Sequence, residues 1–295
     1  MSDRDKVMEV FAQNLNSIYK KYTNSDTLPE LLYHYTKFDN LEKIVKHRKL
    51  RLSIHTKLDD ILEIEHAKKI TLEIVEERLT ISIYKEFWND FLNNFSDINI
   101  FNYYIFSMTD RYNDEYMWEK YGDSGKGISI GISTEFFTHI NLCVKKYKRF
   151  ICFQKVNYND EDFKKYLNEL FIKFESILSE NPLYNAPNYY KHLKSELYLY
   201  IFAILAKIKR NIGKDNSEYF KENEWRIFQI SYLKEFNKSL PKKGRLALAT
   251  KEGHTEINIG PKFIKEIWLG NENMKTYANK ILKTYRINGA EIKKV

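Results

Sequence analysis

The chain has 295 residues, 43% of them hydrophobic, enough to bury one large core or two small ones. Only 10 Gly and 5 Pro stand against 22 Tyr and 19 Phe, a composition that argues against disorder and low complexity. The formal charge of +8 favours phosphate-bearing partners, although Lys, Ile, Asn and Tyr are abundant throughout, as coding in an AT-rich genome also produces.

No apolar run reaches the roughly 18 residues of a membrane span. The charged start MSDRDKVMEVFAQ is not a secretory signal. Cys143 and Cys152 lack framework spacing and read as reduced thiols, so a cytoplasmic protein with no membrane partner is expected.

In chain order, apolar positions at helical spacing predict an amphipathic helix over Asp5 to Tyr22. A turn-rich link, Thr23 to Pro29, leads to a strand over Leu31–Thr36. Asp39 is expected to cap a helix running to about His47, and Leu50 to Ile54 is strand-like. Lys57 to Phe95 is mostly helical with a break near Thr80–Ser82. A strand over Ile100 to Met108 precedes a short helix over Asn113 to Tyr121, with Asp114 and Glu115 in its first turn. The glycine turn GDSGKG feeds a strand over 128–133, and Arg149 to Tyr158 is another strand. Helices over Glu161 to Glu180 and Tyr190 to Ile212 flank the loop NPLYNAPNYY. Glu224 to Leu233 is a strand. Arg245 to Thr250 and Glu256 to Ile259 read as a hairpin around Lys251–Gly253. A strand over Phe263 to Leu269, a helix over Met274 to Tyr285 and a strand over Ala290 to Lys294 close the chain. This irregular alternation predicts an α+β fold. One domain over 1–295 is the simplest division, with an N-terminal helix in 1–30 and helical insertions at 57–95 and 159–213.

GDSGKG looks like a phosphate loop but fails the Walker spacing: Lys120 stands where the first glycine belongs, and no Ser or Thr follows Lys126. His55, Glu63, Glu65 and His66 offer no second pair at ligand spacing, so no metal is expected. Asp59, Asp60 and Glu63 are acids that a metal-dependent nuclease could use, a generic signal. His34 alternates with Tyr33 and Tyr35 and therefore faces away from both. Glu222, Glu224 and Arg226 share one face at period two, with Trp225 turned into the core. An acid beside an arginine there is a plain ion pair or a held catalytic carboxylate.

Three blocks carry a resemblance: LYHYTKFDNLEKIVKHRKLRLS followed by KLDDILE, then FSMTDRYNDEYMWEKYGDSGKGISIGI, then ENEWRIFQI with KEIWLG later. Together they resemble the bacterial domain of unknown function 2971 family over most of Leu32 to Gly270. The first block also looks like the opening of DarT-type ADP-ribosyltransferases. That second resemblance implies two facing small sheets split around NAD as co-substrate, and a His, Tyr, Glu triad. Carried over, His34 matches the first position. Glu224 matches the last, with Glu222 as its rival. Tyr121, Tyr104 and Trp118 compete for the middle. The resemblance further implies that Tyr35, Thr36, Arg51, Ser53, Ser107 and Arg226 line the nucleotide. The acceptor would be a nucleic acid or a protein, in a phage-defence or toxin role that needs restraint by a partner or by the insert at 57–95. A non-catalytic module that senses a nucleotide or a phage component, and a nuclease effector, are the rival expectations.

Overall fold

The computed structural model describes residues 13–22, 27–58, 63–95, 101–137, 150–180, 193, 197–198, 200–201, 204–211, 218–232 and 253–295. Within them the order opens with helix α1 (13–22), strand β1 (Leu31–Thr36), helix α2 (Asp39–His47) and strand β2 (Lys49–Ile54). Helices α3 (Glu63–Ile81) and α4 (Lys85–Phe95) precede strand β3 (Phe101–Thr109). Helix α5 (Glu115–Lys120), strands β4 (Ile128–Ser133) and β5 (Phe150–Lys155) and helix α6 (Asp160–Glu180) follow. Strands β6 (Glu224–Tyr232), β7 (His254–Asn258) and β8 (Ile264–Leu269), helix α7 (Lys275–Thr284) and strand β9 (Glu291–Lys294) complete the order. The fold is α+β. Contacts divide the chain into a helical unit (Met1–Thr27, Leu62–Asn99 and Val156–Asn211) and a sheet unit (Leu28–Ile61, Ile100–Lys155 and Ile212–Val295).

The helical unit gathers α1, α3, α4 and α6 around aromatic rings. Phe87, Trp88, Phe91 and Phe95 recur at helical spacing along α4 and are buried with Phe171 and Phe174 of α6. Trp88 lies 4.7 Å from Phe171, and Phe87 lies 4.7 Å from Phe174. Each such side chain contributes about 1.5–3 kcal/mol on burial. The Trp88 indole N–H donates to Glu175 at 2.6 Å, and Arg78 approaches the same carboxylate at 3.5 Å. The break expected at Thr80–Ser82 comes at residues 82–84, where the Ser82 hydroxyl accepts the Tyr84 N–H at 3.0 Å. The first part of the predicted N-terminal helix, ten of the 23 residues of the helix predicted over Tyr190 to Ile212, and Cys143 lie outside the described residues. Helix does not reach Ile212, because residues 206–211 are non-helical, with Ile208 bridged to Asn157.

The sheet unit holds a nine-stranded sheet among the described residues, in the order β5-β6-β3-β1-β4-β8-β9, with β2 joining β3 to β7. β3 pairs with β6 along its whole length, from Phe101↔Tyr232 to Thr109↔Glu224. Its other edge divides. Ile105 and Tyr104 pair with Ser53 and Ile54 of β2, whereas Thr109 pairs with Tyr33 of β1. The sheet therefore forks between the β1 and β2 branches. One face carries the main core: Leu32, Phe106, Met108, Ile130, Trp225 and Ile227 are buried with Leu41 and Val45 of α2 and Ile281 and Leu282 of α7. The other face carries Tyr33 and Tyr35, covered by Met117 and Trp118 of α5.

Local signals differ from expectation in two places. Asp39 is the first residue of α2 rather than its cap, because Phe38 occupies the cap position without a side-chain bond. Asp114 is the true cap of α5, accepting the Met117 N–H at 3.1 Å. β7 begins at His254 and pairs with β2, while Arg245 to Thr250 lie outside the described residues.

GDSGKG is a tight turn, with Asp123, Ser124 and Gly125 all at positive φ (53°, 53° and 79°). It is pinned by Gly125 N–H to the Trp118 carbonyl at 3.1 Å and Gly127 N–H to the Gly122 carbonyl at 2.8 Å. A Cβ at Gly127 would lie 2.3 Å from the Thr36 carbonyl oxygen and 2.8 Å from that of Gly122, and neither backbone atom can rotate away. Gly127→Ala should therefore destabilise the chain by about 3 kcal/mol, at the upper end of overpacking costs, and lower its urea midpoint. Wild-type stability in this variant would contradict the close approach of β1 and the turn.

Candidate functional site

Cross-strand partners lie on one face of a sheet, so the pairing assigns each predicted side chain to a face. Ser107 pairs with Arg226, Thr109 with Glu224, Gln154 with Arg226, and Tyr33 with Thr109. These residues share the face covered by α5. His34 pairs with Ile130 and packs on Phe106 at 4.2 Å, on the core face. The structure thus brings Glu224, Arg226 and Ser107 together and places His34 on the opposite side.

Glu224 and Arg226 project side by side from β6, two residues apart. Arg226 Nε donates to Glu224 Oε1 at 2.6 Å, and a terminal guanidinium nitrogen donates to Oε2 at 2.8 Å. Their exposures are 3% and 1%, so this is a fully desolvated fork-to-fork pair. Desolvation offsets much of the attraction, but removing one partner leaves the other charge buried.

Glu222 does not continue the β6 face. It ends a 3₁₀ turn (Tyr219–Glu222), and Asn223 at φ 43° reverses the chain before the strand begins. The Asn223 amide bonds the Asp110 carboxylate. This places the buried Glu222 carboxylate against α5. Tyr121 donates its hydroxyl to Glu222 Oε1 at 2.7 Å, and Lys120 Nζ donates to the same oxygen at 3.0 Å. Lys120 also donates to the Tyr116 hydroxyl at 3.1 Å. Its ammonium lies 4.6 Å from the Tyr219 ring centre, 5.3 Å from Tyr121 and 5.4 Å from Tyr116. Burial alone would lower the Lys120 pKa, but the Glu222 charge and the Tyr116 hydroxyl outweigh it and raise the value. The charged form is therefore held in place. Lys120, Tyr116 and Tyr219 were not anticipated. The readable signal was Tyr116 and Lys120 at i and i+4 on a short helix.

His34 Nδ1 lies 2.9 Å from the Ser107 carbonyl oxygen. A carbonyl only accepts, so Nδ1 carries the proton, and in the neutral ring Nε2 is an acceptor. Burial lowers the His34 pKa, partly opposed by the bond to Ser107.

Most of the remaining predicted residues have structural partners. The Tyr35 hydroxyl donates to the Arg111 carbonyl at 2.8 Å and accepts the Asp114 N–H at 3.2 Å, fixing the start of α5. Burial, first among the causes, pushes its pKa up to about 12. Thr36 accepts the Asn40 amide at 2.7 Å. Trp118 is buried, with its indole N–H on Asn113 at 3.0 Å. Arg51 is exposed opposite Glu256, Ser53 is half-buried opposite Ile105, and Tyr104 is buried on the core face. Asp59 and Asp60 lie outside the described residues. Among the described residues no three His, Cys, Asp or Glu side chains gather as metal ligands, and His66 pairs with Asp160 at 2.9 Å.

Two stability predictions arise. Glu224→Ala should cost about 3–5 kcal/mol in urea unfolding by removing one partner of a fully buried charge pair, a loss that a solvated pair would not show. For His34 the folded pKa lies below the ordinary 6.5, so the folded state binds fewer protons than the unfolded chain as pH falls. Its contribution is complete above about pH 6.5 and declines below it. His34→Gln keeps a donor for Ser107 and should flatten this acid-side decline. An unchanged slope in urea midpoints against pH would exclude His34 as its source.

Residues 117–227 match the model of a protein family of unknown function, DUF2971. The matched stretch contains Lys120, Tyr121, Glu222, Glu224 and Arg226, and the match supports a relationship to that family. No curated protein and no solved structure matches the chain.

Proposed function

We propose that the sheet unit takes NAD on the face covered by α5 and transfers its ADP-ribose to an acceptor, with Glu222 as the carboxylate that acts. The observation that carries this reading is the buried Glu222 carboxylate, set against the Tyr121 hydroxyl at 2.7 Å and the Lys120 ammonium at 3.0 Å. When the bond between nicotinamide and ribose breaks, its electron pair leaves with nicotinamide and positive charge develops on the ribose. A preorganised carboxylate stabilises that charge. Tyr121 orients the carboxylate, and the half-buried rings of Tyr116 and Tyr121 offer flat surface for a nicotinamide. Arg226 is committed to Glu224, so it serves as a strut for β6 rather than a pyrophosphate clamp. His34, on the other face, supports the fork.

The test is nicotinamide release from NAD by the full chain, with and without nucleic acid or protein acceptors. Glu222→Gln should release nicotinamide about 10²–10³-fold more slowly than wild type. Equal rates would remove Glu222 from the chemistry. A second reading, a nucleotide-binding module without turnover, is favoured by the fact that Glu222 and Glu224 are each already engaged by a cation. Calorimetric binding of NAD with no nicotinamide released would establish it.

A further inference from the structure

The two acid–cation pairs at the start of β6 differ in how they can come apart. Glu224 and Arg226 meet through both carboxylate oxygens, and both side chains are buried. Glu222 is buried as deeply, but the Lys120 side chain that meets it is 22% exposed. Lys120 is the last residue of α5. A lysine is a point charge on a flexible stem, so its head can swing to water by side-chain rotation alone. Other contacts hold α5 in place: the Asp114 cap, the Tyr35 hydroxyl on the Asp114 N–H, and the Gly122 and Gly125 N–H groups on the Trp118 carbonyl. Glu222 keeps the Tyr121 hydroxyl when Lys120 withdraws.

The surroundings of the Lys120 ammonium are those of a cation site. The ring centres of Tyr219, Tyr121 and Tyr116 lie 4.6, 5.3 and 5.4 Å away. Glu222 Oε1 and the Tyr116 hydroxyl lie at 3.0 and 3.1 Å. Aromatic faces attract a cation through the ring quadrupole, and more strongly where water is excluded. Tyr219 and Glu222 are both buried, so the inner wall of the site is dry. Three rings around a carboxylate and a hydroxyl suit a weakly hydrated organic cation, such as a pyridinium, better than a hard metal ion, which takes about six oxygen ligands.

We infer that Lys120 is the built-in occupant of a site for an organic cation, and that a ligand's cationic ring displaces it from Glu222. Lys120 thereby restrains the site, because such a ligand binds only the state in which the lysine has swung out. The inference deepens the proposal above, since NAD carries its positive charge on the pyridinium ring of nicotinamide. It rests on that proposal for the identity of the natural ligand, and not for the preference for an organic cation. It also reconciles the Lys120–Glu222 pair with a working carboxylate, because the two cations exchange.

The test uses the full chain with N-methylnicotinamide, a pyridinium cation, and nicotinamide, the neutral ring. Calorimetry should give weak binding of the cation to wild type. Lys120→Ala should bind it about 10- to 100-fold more tightly, the gain expected when a closed state that leaves about 1–10% of sites open is removed. Lys120→Met, which keeps an unbranched stem and removes the charge, should gain in the same direction, and Lys120→Arg should not. Lys120→Ala should prefer the cation to nicotinamide and lose that preference when combined with Glu222→Gln. In wild type, acetic anhydride should label the Lys120 amine faster when N-methylnicotinamide is bound, read by peptide mass spectrometry, and nicotinamide should have no such effect. The inference is overturned if Lys120→Ala and Lys120→Met bind the cation no more tightly than wild type does. It is equally overturned if nicotinamide binds Lys120→Ala as tightly as the cation does, or if saturating cation leaves the labelling of Lys120 unchanged. None of these readings uses NAD. Equal nicotinamide release from wild type and Glu222→Gln would sink the transfer reaction and leave the cation site standing.

Discussion

A strand has two edges of backbone donors and acceptors, and every group on them needs a partner when buried. β3 sets the problem for the sheet unit. One edge is satisfied along its length by β6, while the other is divided between β2 and β1. Between the branches the Ser107 carbonyl has neither strand beside it, and the His34 imidazole supplies the missing donor. The bond fixes the tautomer, and burial favours the neutral ring. A histidine is well suited here because its donor sits on a flat ring that can pack on Phe106. The same bond explains why a residue with the sequence marks of a ligand-binding histidine lies on the core face.

The two carboxylates at the start of β6 show how one residue of backbone changes chemistry. At period two, Glu222, Glu224 and Arg226 would have formed one row. The left-handed Asn223 removes Glu222 from that row and delivers it to α5. Glu224 is left to pair with Arg226 through both of its oxygens. One acid thus becomes a buried strut, and the other becomes a carboxylate among tyrosines and a lysine. The second arrangement gathers a carboxylate, an ammonium and a phenol hydroxyl on the α5-covered face, with Lys120 and Tyr121 holding the carboxylate in place.

Charge is as unevenly divided as structure. The helical unit is slightly acidic and builds its core from aromatics of α4 and α6 that meet in tilted and edge-to-face contacts. The sheet unit is strongly basic and keeps several aromatics on one face rather than within the main core. The overall +8 is the remainder of this asymmetry, and a bulk count cannot reveal it.

The sequence by itself determined the α+β class, most of the strands and the longer helices, because hydrophobic periodicity is a local property. It determined the GDSGKG turn, the inward Trp225 and the suspicion attached to ENEWR. It did not determine which acid acts as a strut and which stands at α5, because that depends on one positive φ at Asn223. Nor did it reveal Lys120, whose three rings come from α5, the residue after it and a turn about a hundred positions later. The side taken by His34 was legible only relative to Tyr33 and Tyr35. Whether that side was the core or the α5-covered face was decided by the pairing of β1 with β3 and β4. Register joins residues far apart in the chain through backbone bonds that carry no side-chain signature, so only the tertiary structure could decide it.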